Sequence, residues 1–438
     1  MTGPQGLHDI ARRPWDVGSD LLPAAALAGA QVRAVADQLS RLPSLDRPRA
    51  LVVVGSGAPA AVALLTAVIG PGCPVPIVAA PSLPPWVGPL DVVVVLATTV
   101  DDHAAAEALA VAVRRGASVI TRCAADGPVP AMAGRAGTGV LVPTIAVPEA
   151  LAAAGRLALL VGVAGAAGLL PAVDVSPAAL ADLADQVDGI AVACHPNTDF
   201  FVNPALLLAE HVLGGPPVFI GLDPVGDAVA EHAVLAFAAL GGRPVTALRS
   251  TDVPAAAPLV ARMAAGSADL FADPFADDEP DWADPADRAA VVLVGTPDAV
   301  SGELLGGPGP TGRPPLAPDA LPRALRLGAD EVAVPGRPDD DPFAAPAALP
   351  GSGRAAGPRS PVQHRLAALL DLLARVDFAA VYTGLVTGAR PPSDAPEGLG
   401  PAGAALFRPV VTAGARLEGP PGDRSGTVSG AEWPPRWS

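Results

Sequence analysis

The 438-residue chain has no lysine, so all 28 of its basic side chains are arginines. Without an amine there is no Schiff-base chemistry and no lysine clamp for a phosphate, and an anion would have to be held by guanidinium, hydroxyl or backbone N–H groups. Cysteine is scarce: Cys73, Cys123 and Cys194 are far apart, odd in number and without CxxC spacing. That argues against a disulfide framework or a zinc site and for a reducing compartment, so a cytoplasmic protein with no metal and no cofactor is the expectation. Positive charge is also in deficit. Forty-four acidic against 28 basic residues leave a formal charge of −16, which repels nucleic-acid phosphates and anionic membranes, and neither is an expected partner. No apolar run has bilayer length: Leu157 to Leu170 is too short and is rich in Gly and Ala, which suits a buried helix. His8, Asp9, Arg12 and Arg13 are followed by no apolar h-region, so no secretory leader is expected. Asparagine is limited to Asn197 and Asn203 while alanine, proline, glycine and valine are in excess, the codon signature of a GC-rich genome.

Half of the residues are apolar, enough for two cores in a chain longer than one ordinary domain. Leu51 to Val54 is an apolar run ending in Gly55-Ser56-Gly57-Ala58-Pro59, and Ala60 to Ile69 follows as a helix. The glycines therefore occupy a strand-to-helix turn, where α/β proteins bind ligands. Asp91 to Leu96 repeats the arrangement, with Ala97 to Asp102 as the turn, His103 to Arg115 as the helix and Gly116 to Ile120 as the returning strand. Upstream of these, residues 1–20 read as loosely ordered, and Leu21 to Leu42 carries helical spacing through Val32, Val35 and Leu39. Downstream come a short strand at Val140 to Pro143 and helices over Pro148 to Leu170 and Ser176 to Val187, the second capped by Ser176 with Pro177 in its first turn. Gly189 to Pro196 reads as a linker, and Asn203-Pro204 starts a helix to about Leu213.

Strand Val218 to Gly221, helix Asp227 to Leu240 and strand Val245 to Leu248 resume the alternation of a doubly wound sheet. Val291 to Val294 and Glu331 to Val334 add strands. Val362 to Val386 is a long apolar helix, expected in the core or at a dimer interface. Two Pro/Gly-rich inserts, 302–320 and 335–361, read as loops, and the tail from residue 389 reads as disordered.

The glycine turn at 55–57, Leu83-Pro84-Pro85-Trp86-Val87, the hydroxyl-bearing loop at 97–102 and Arg114-Arg115-Gly116-Ala117 follow one another in the order and spacing of a sugar-isomerase (SIS) domain. Within that superfamily the segment resembles the bacterial bifunctional phosphoglucose/phosphomannose isomerases. Phe201-Val202-Asn203-Pro204-Ala205, Pro217-Val218-Phe219-Ile220-Gly221 and Asp377-Phe378-Ala379-Ala380-Val381-Tyr382 are similar in order to the same family's C-terminal half. The resemblance implies an α/β chain of two SIS-type doubly wound domains with parallel sheets, residues 21–190 and 191–388. It also implies a sugar phosphate or related small molecule as ligand, held by Gly55, Ser56, Gly57, Thr98 and Thr99, and leaves a homodimer open.

Departures from the family pattern bear on activity. The GxGGS-like turn has Pro59 at the serine position, with Ser56 as a substitute donor; its glycines also suit plain close packing of strand and helix. The SxSGxT-like loop keeps a hydroxyl at Thr99 but places Val100 for Gly and Asp102 for a phosphate-binding Thr. A carboxylate there repels a phosphate, and the simpler role for Asp101 and Asp102 is to cap the following helix. Aldose–ketose isomerisation needs a base and a ring-opening acid, and no residue of this chain matches the family's glutamate and histidine. Asp199, Glu210, His211, Glu231 and His232 are substitutes, the last four expected on solvated helix faces. His364 and Tyr382 fall on the long helix as packing or surface groups. The acidic run Asp273, Asp277, Asp278, Glu279, Asp281, Asp284 and Asp287 matches no EF-hand spacing and reads as a solvated segment. Binding of a phosphosugar with activity lost is the expectation, with an active isomerase and a structural or regulatory partner as alternatives.

Overall fold

The structure, a computed structural model, describes residues 4–12, 20–136, 138–260, 263, 289–300, 324–328, 332–333 and 359–389. The acidic run, the 302–320 insert, most of the 335–361 insert and the tail beyond Ala389 lie outside the described residues. Pro4–Arg12 is helix α1, where a loose terminus was expected. Its Leu7 is fully buried, and His8 stacks on Phe200 with ring centroids 4.2 Å apart. The helix expected over 21–42 is divided into α2 (Leu21–Ala25) and α3 (Ala28–Leu39). At the break Leu27 N–H donates to the Ala24 carbonyl, one residue short of the α-helical ladder.

The first βα series comprises β1 (Leu51–Val54), α4 (Ala58–Ile69), β2 (Ile77–Ala80), β3 (Val92–Leu96), α5 (His103–Arg114), β4 (Ser118–Arg122), α6 (Pro128–Ala136) and β5 (Gly139–Leu141). Its sheet is parallel throughout, in the order β2-β1-β3-β4-β5. Alternate residues of each central strand feed opposite faces: Leu51 and Val53 join one core, Val52 and Val54 another. This is why these strands read as unbroken apolar runs rather than as alternating ones.

Helices α7 (Ala153–Ala166), α8 (Pro177–Ala193) and α9 (Pro204–Leu213) follow. α8 is longer than expected and absorbs most of the 189–196 linker, because Ile190 and Ala191 pack on the core and the first breaker after Gly189 is Pro196. Asn203 caps α9 by accepting from the N–H groups of Ala205 and Leu206, both at 3.1 Å. The second series is β6 (Pro217–Gly221), α10 (Pro224–Ala239), β7 (Thr246–Leu248), β8 (Ala290–Gly295), the short α11 (Pro297–Val300), β9 (Leu325–Gly328) and β10 (Val332–Ala333). Strand β9, invisible in the sequence pattern, exists because it pairs with β8 and buries Leu325 and Leu327. The order β10-β9-β8-β6-β7 reproduces that of the first sheet, with β10 antiparallel to β9.

Helix α12 (Pro361–Thr387) lies in the core, buried almost continuously from Leu366 to Val386. Ser360 and Gln363 close a capping box at its start, and Gly388, at φ 74°, ends it in the left-handed region. Leu366, Leu369, Leu373 and Tyr382 belong to the same continuous apolar cluster as Leu51 of β1 and Phe219 of β6. Among the described residues no helix is long and apolar enough to cross a membrane.

Candidate functional site

In each sheet the chain steps from its first strand to a neighbour on one side and then to one on the other. The loops leaving β1 and β3, and those leaving β6 and β8, therefore diverge at the carboxyl edge, and ligands of open α/β sheets bind in the crevice made at such switch points. The switch point between β1 and β3 brings together the two turns singled out in the sequence. Gly55 is at φ 132°, and a Cβ there would collide with the Leu96 carbonyl of β3. The packing role of this glycine is thus real. Gly57 caps α4 without a side-chain hydrogen bond, and a Cβ on it would lie 2.7 Å from Arg156 Nη1. Its missing side chain makes room for a guanidinium.

Across the crevice Ser56 Oγ and Thr98 Oγ1 are 3.3 Å apart. Thr99, named with Thr98 from the sequence, is exposed at the tip of its loop. Asp102 is the cap expected of it: Oδ1 accepts from Ala105 N–H at 2.9 Å and Oδ2 from Thr98 N–H at 3.3 Å. The β3–α5 corner is therefore occupied by a carboxylate of the chain itself.

Three linked residues, Arg156 and Glu149 beside Gly57 and Arg122 at the end of β4, were missed in the sequence. Arg156 of α7 donates from Nη1 to Glu149 Oε1, and its Nη2 reaches the Glu149 carbonyl at 3.4 Å. Glu149 stands on a single 3-10 turn, Glu149–Leu151, where the helix expected from Pro148 is delayed until Ala153. Arg122, the last residue of β4, has Nη1 4.0 Å from Glu149 Oε2 and makes no side-chain hydrogen bond among the described residues. The Arg122 and Arg156 side chains are each 12% exposed and that of Glu149 is 40% exposed. Burial pushes the Arg122 guanidinium below its ordinary value, Glu149 pulls it back up and Arg156 pushes it down again. A signal was present, since Arg122 ends an apolar strand and Arg156 is the lone charge in an apolar helix, and a charge in such a place needs a partner.

Behind Arg122 a groove of about 20 Å³ is lined by Gln31, Gln38, Leu141 and Gly155, room for about one water molecule. Gln38 is committed to the backbone of Ala34 and Val142, and Gln31 to the Leu151 carbonyl.

The second switch point is closed. Asp223 Oδ1 accepts from Gly226 N–H at 2.7 Å as the cap of α10, and Oδ2 accepts from Thr296 N–H at 2.9 Å and Thr296 Oγ1 at 2.6 Å. One carboxylate thus ties the β6 and β8 corners together. Nearby, Asp227 accepts from Ser250 N–H at 2.8 Å and Ser250 Oγ at 3.1 Å.

Two histidines expected on solvated faces are instead hydrogen-bonded to other elements, His232 buried and His211 partly buried. His232 is buried with Nε2 2.7 Å from Asp377 Oδ1, because α10 packs against α12 along that face. His211 Nε2 lies 2.8 Å from the Val291 carbonyl, and burial lowers its pKa from the ordinary imidazole value. Glu231 pairs with Arg249, Glu210 lies beside His8, and Asp199 caps a 3-10 turn. The Tyr382 hydroxyl donates to the Cys194 carbonyl at 2.7 Å, a packing role as expected.

No protein-family model and no curated protein matches the chain. Among solved structures it is similar to a hypothetical protein from Thermus thermophilus, with a TM-score of 0.51 and 14% identity over 87% of this chain and 89% of that one. The C-terminal domain of glucosamine-fructose-6-phosphate aminotransferase from Francisella tularensis follows, with a TM-score of 0.49 and 11% identity over 84% of this chain and 98% of that one. Glucosamine-6-phosphate deaminase from Thermotoga maritima has a TM-score of 0.49 and 11% identity over 85% and 96%. The likeness to the Thermus protein shows a shared fold, an α/β chain with parallel sheets, and says nothing of activity.

Proposed function

We propose that the crevice between the β1 and β3 corners binds the phosphate of a phosphorylated monosaccharide or a related carbohydrate derivative. The chain would be an SIS-type protein similar to the phosphoglucose/phosphomannose isomerases that holds its ligand without turning it over. The observation carrying this reading is that Arg156, which lies against Gly57 at the start of α4, shares the Glu149 carboxylate with Arg122, while the Ser56 and Thr98 hydroxyls meet at 3.3 Å across the switch point. Guanidinium forks and helix N-termini both suit oxyanions, and in a chain without lysine they are the means available. The resemblance of residues 51–121 to an SIS domain supplies the substrate class.

Turnover would need a group free to carry a proton between C1 and C2. Asp102 is committed to two backbone N–H groups, Glu149 is engaged by Arg156, His232 is bonded inside the core, and the partly buried His211 is bonded to the Val291 carbonyl. Calorimetric titration of the full chain with glucose 6-phosphate, fructose 6-phosphate and unphosphorylated glucose tests the proposal, alongside an assay for fructose 6-phosphate conversion. Binding of the phosphates alone, with no conversion, is expected. Conversion would favour the active isomerase, and failure of both phosphates to bind would remove the reading.

A further inference from the structure

Three carboxylates of this chain, Asp102, Asp223 and Glu149, accept from donors at or beside the strand-to-helix corners, and they are held in different ways. Asp102 and Asp223 accept from backbone N–H groups as helix caps, so removing either one leaves helix donors unpaired. Glu149 caps nothing. Its side chain is held by guanidinium alone, through a hydrogen bond from Arg156 and the proximity of Arg122, and it is 40% exposed while both arginines are 12% exposed. One carboxylate facing two guanidinium groups leaves a positive charge uncompensated in a place where water is scarce. A phosphate dianion in its place would neutralise both, and Arg122, which makes no side-chain hydrogen bond among the described residues, would gain its first.

We infer that Glu149 is a displaceable stand-in for the ligand: its carboxylate fills the oxyanion position between Arg122 and Arg156, and a phosphate monoester binds by turning it out to solvent. This rests on the reading of the crevice as a phosphosugar site and adds its gate. The ligand's affinity is then reduced by the fraction of molecules in which Glu149 is turned out. A side chain without the charge competes less well for the guanidinium pair, so Glu149→Gln removes most of that penalty.

The test is calorimetric titration of the full chain at low ionic strength with inorganic phosphate and with glucose 6-phosphate, for wild type, Glu149→Gln, Arg122→Gln and the double variant, each checked by its melting curve. Glu149→Gln is expected to bind inorganic phosphate about tenfold more tightly, and adding Arg122→Gln is expected to abolish the gain. Equal or weaker phosphate binding by a folded Glu149→Gln protein overturns the inference. Should that variant melt early, Arg122→Gln alone decides, because Arg122 has no hydrogen bond to lose: phosphate binding like wild type overturns the inference, and loss of binding supports it. Inorganic phosphate behaving as expected while glucose 6-phosphate binds no better would retain the gate and remove the phosphosugar reading. Glucose 6-phosphate binding that Glu149→Gln leaves unchanged would do the reverse.

Discussion

Replacing Asp377 by alanine asks whether the His232 imidazole serves the core or the ligand. The two side chains meet at 2.7 Å with 5% and 7% exposure, and they join α10 of the second sheet to the central α12. Water cannot take the place of a partner lost there. Breaking a buried pair by removing one member costs about 3–5 kcal/mol, a large share of a typical stability of about 5–15 kcal/mol. Asp377→Asn keeps an acceptor for the ring and should cost less, about 1–2 kcal/mol. The assay is urea unfolding of the full chain, followed by far-ultraviolet circular dichroism, for Asp377→Ala, His232→Ala and the double variant. The cycle should return a coupling energy of at least about 1 kcal/mol, as expected for residues in direct contact. A coupling within about 0.5 kcal/mol of zero, the scatter seen between independent sites, would refute the pairing. Loss of glucose 6-phosphate binding without loss of stability would place the imidazole in the ligand's path.

Other consequences are as direct. Gly55→Ala must place a Cβ against the Leu96 carbonyl at a positive φ, so it should destabilise the chain by about 1–3 kcal/mol or more; an unchanged urea midpoint would contradict the β1–β3 geometry. Burial raises the Asp227 carboxyl above the ordinary carboxylate range, with the Ser250 hydrogen bonds opposing it. A carboxyl raised by folding contributes stability that is complete below its unfolded pKa and is lost as pH rises through its folded one. Asp227→Asn should therefore flatten that part of the stability curve, and an unaltered slope of midpoint against pH would show the assignment wrong. Burial pushes the Cys194 thiol up to about 12 and raises Cys123 as well, while Cys73 is only partly buried. Iodoacetamide should label Cys73 first and spare the other two until urea is added, as read by mass spectrometry; equal labelling in the folded state would argue against their burial.

What lay on the surface of the sequence was whatever depends on near neighbours. The unbroken apolar runs at 51–54 and 92–96, the caps at Ser176 and Asn203, and the apolar stretch ending at Gly388 mark elements because period and capping act within a few residues. Asp102 is legible as a cap for the same reason. Strand β9 is not, since four residues, Leu325 to Gly328, gain strand character from pairing with β8 rather than from their own pattern. The linker expected at 189–196 is helix as far as Ala193 instead, as tertiary packing of Ile190 and Ala191 outweighs the local weakness of Gly189.

The absence of lysine, the acidic balance and the two strand-to-helix turns are properties of the sequence alone, and they set the fold class and the kind of side chain that could meet an anion. Tertiary structure decided which side chains do meet. Arg122, Glu149 and Arg156 come from a strand end, a 3-10 turn and a helix separated by up to 34 positions, and Asp223 reaches Thr296 across 73. Such pairings are set by where the strands order themselves in a sheet, and no local pattern encodes that order.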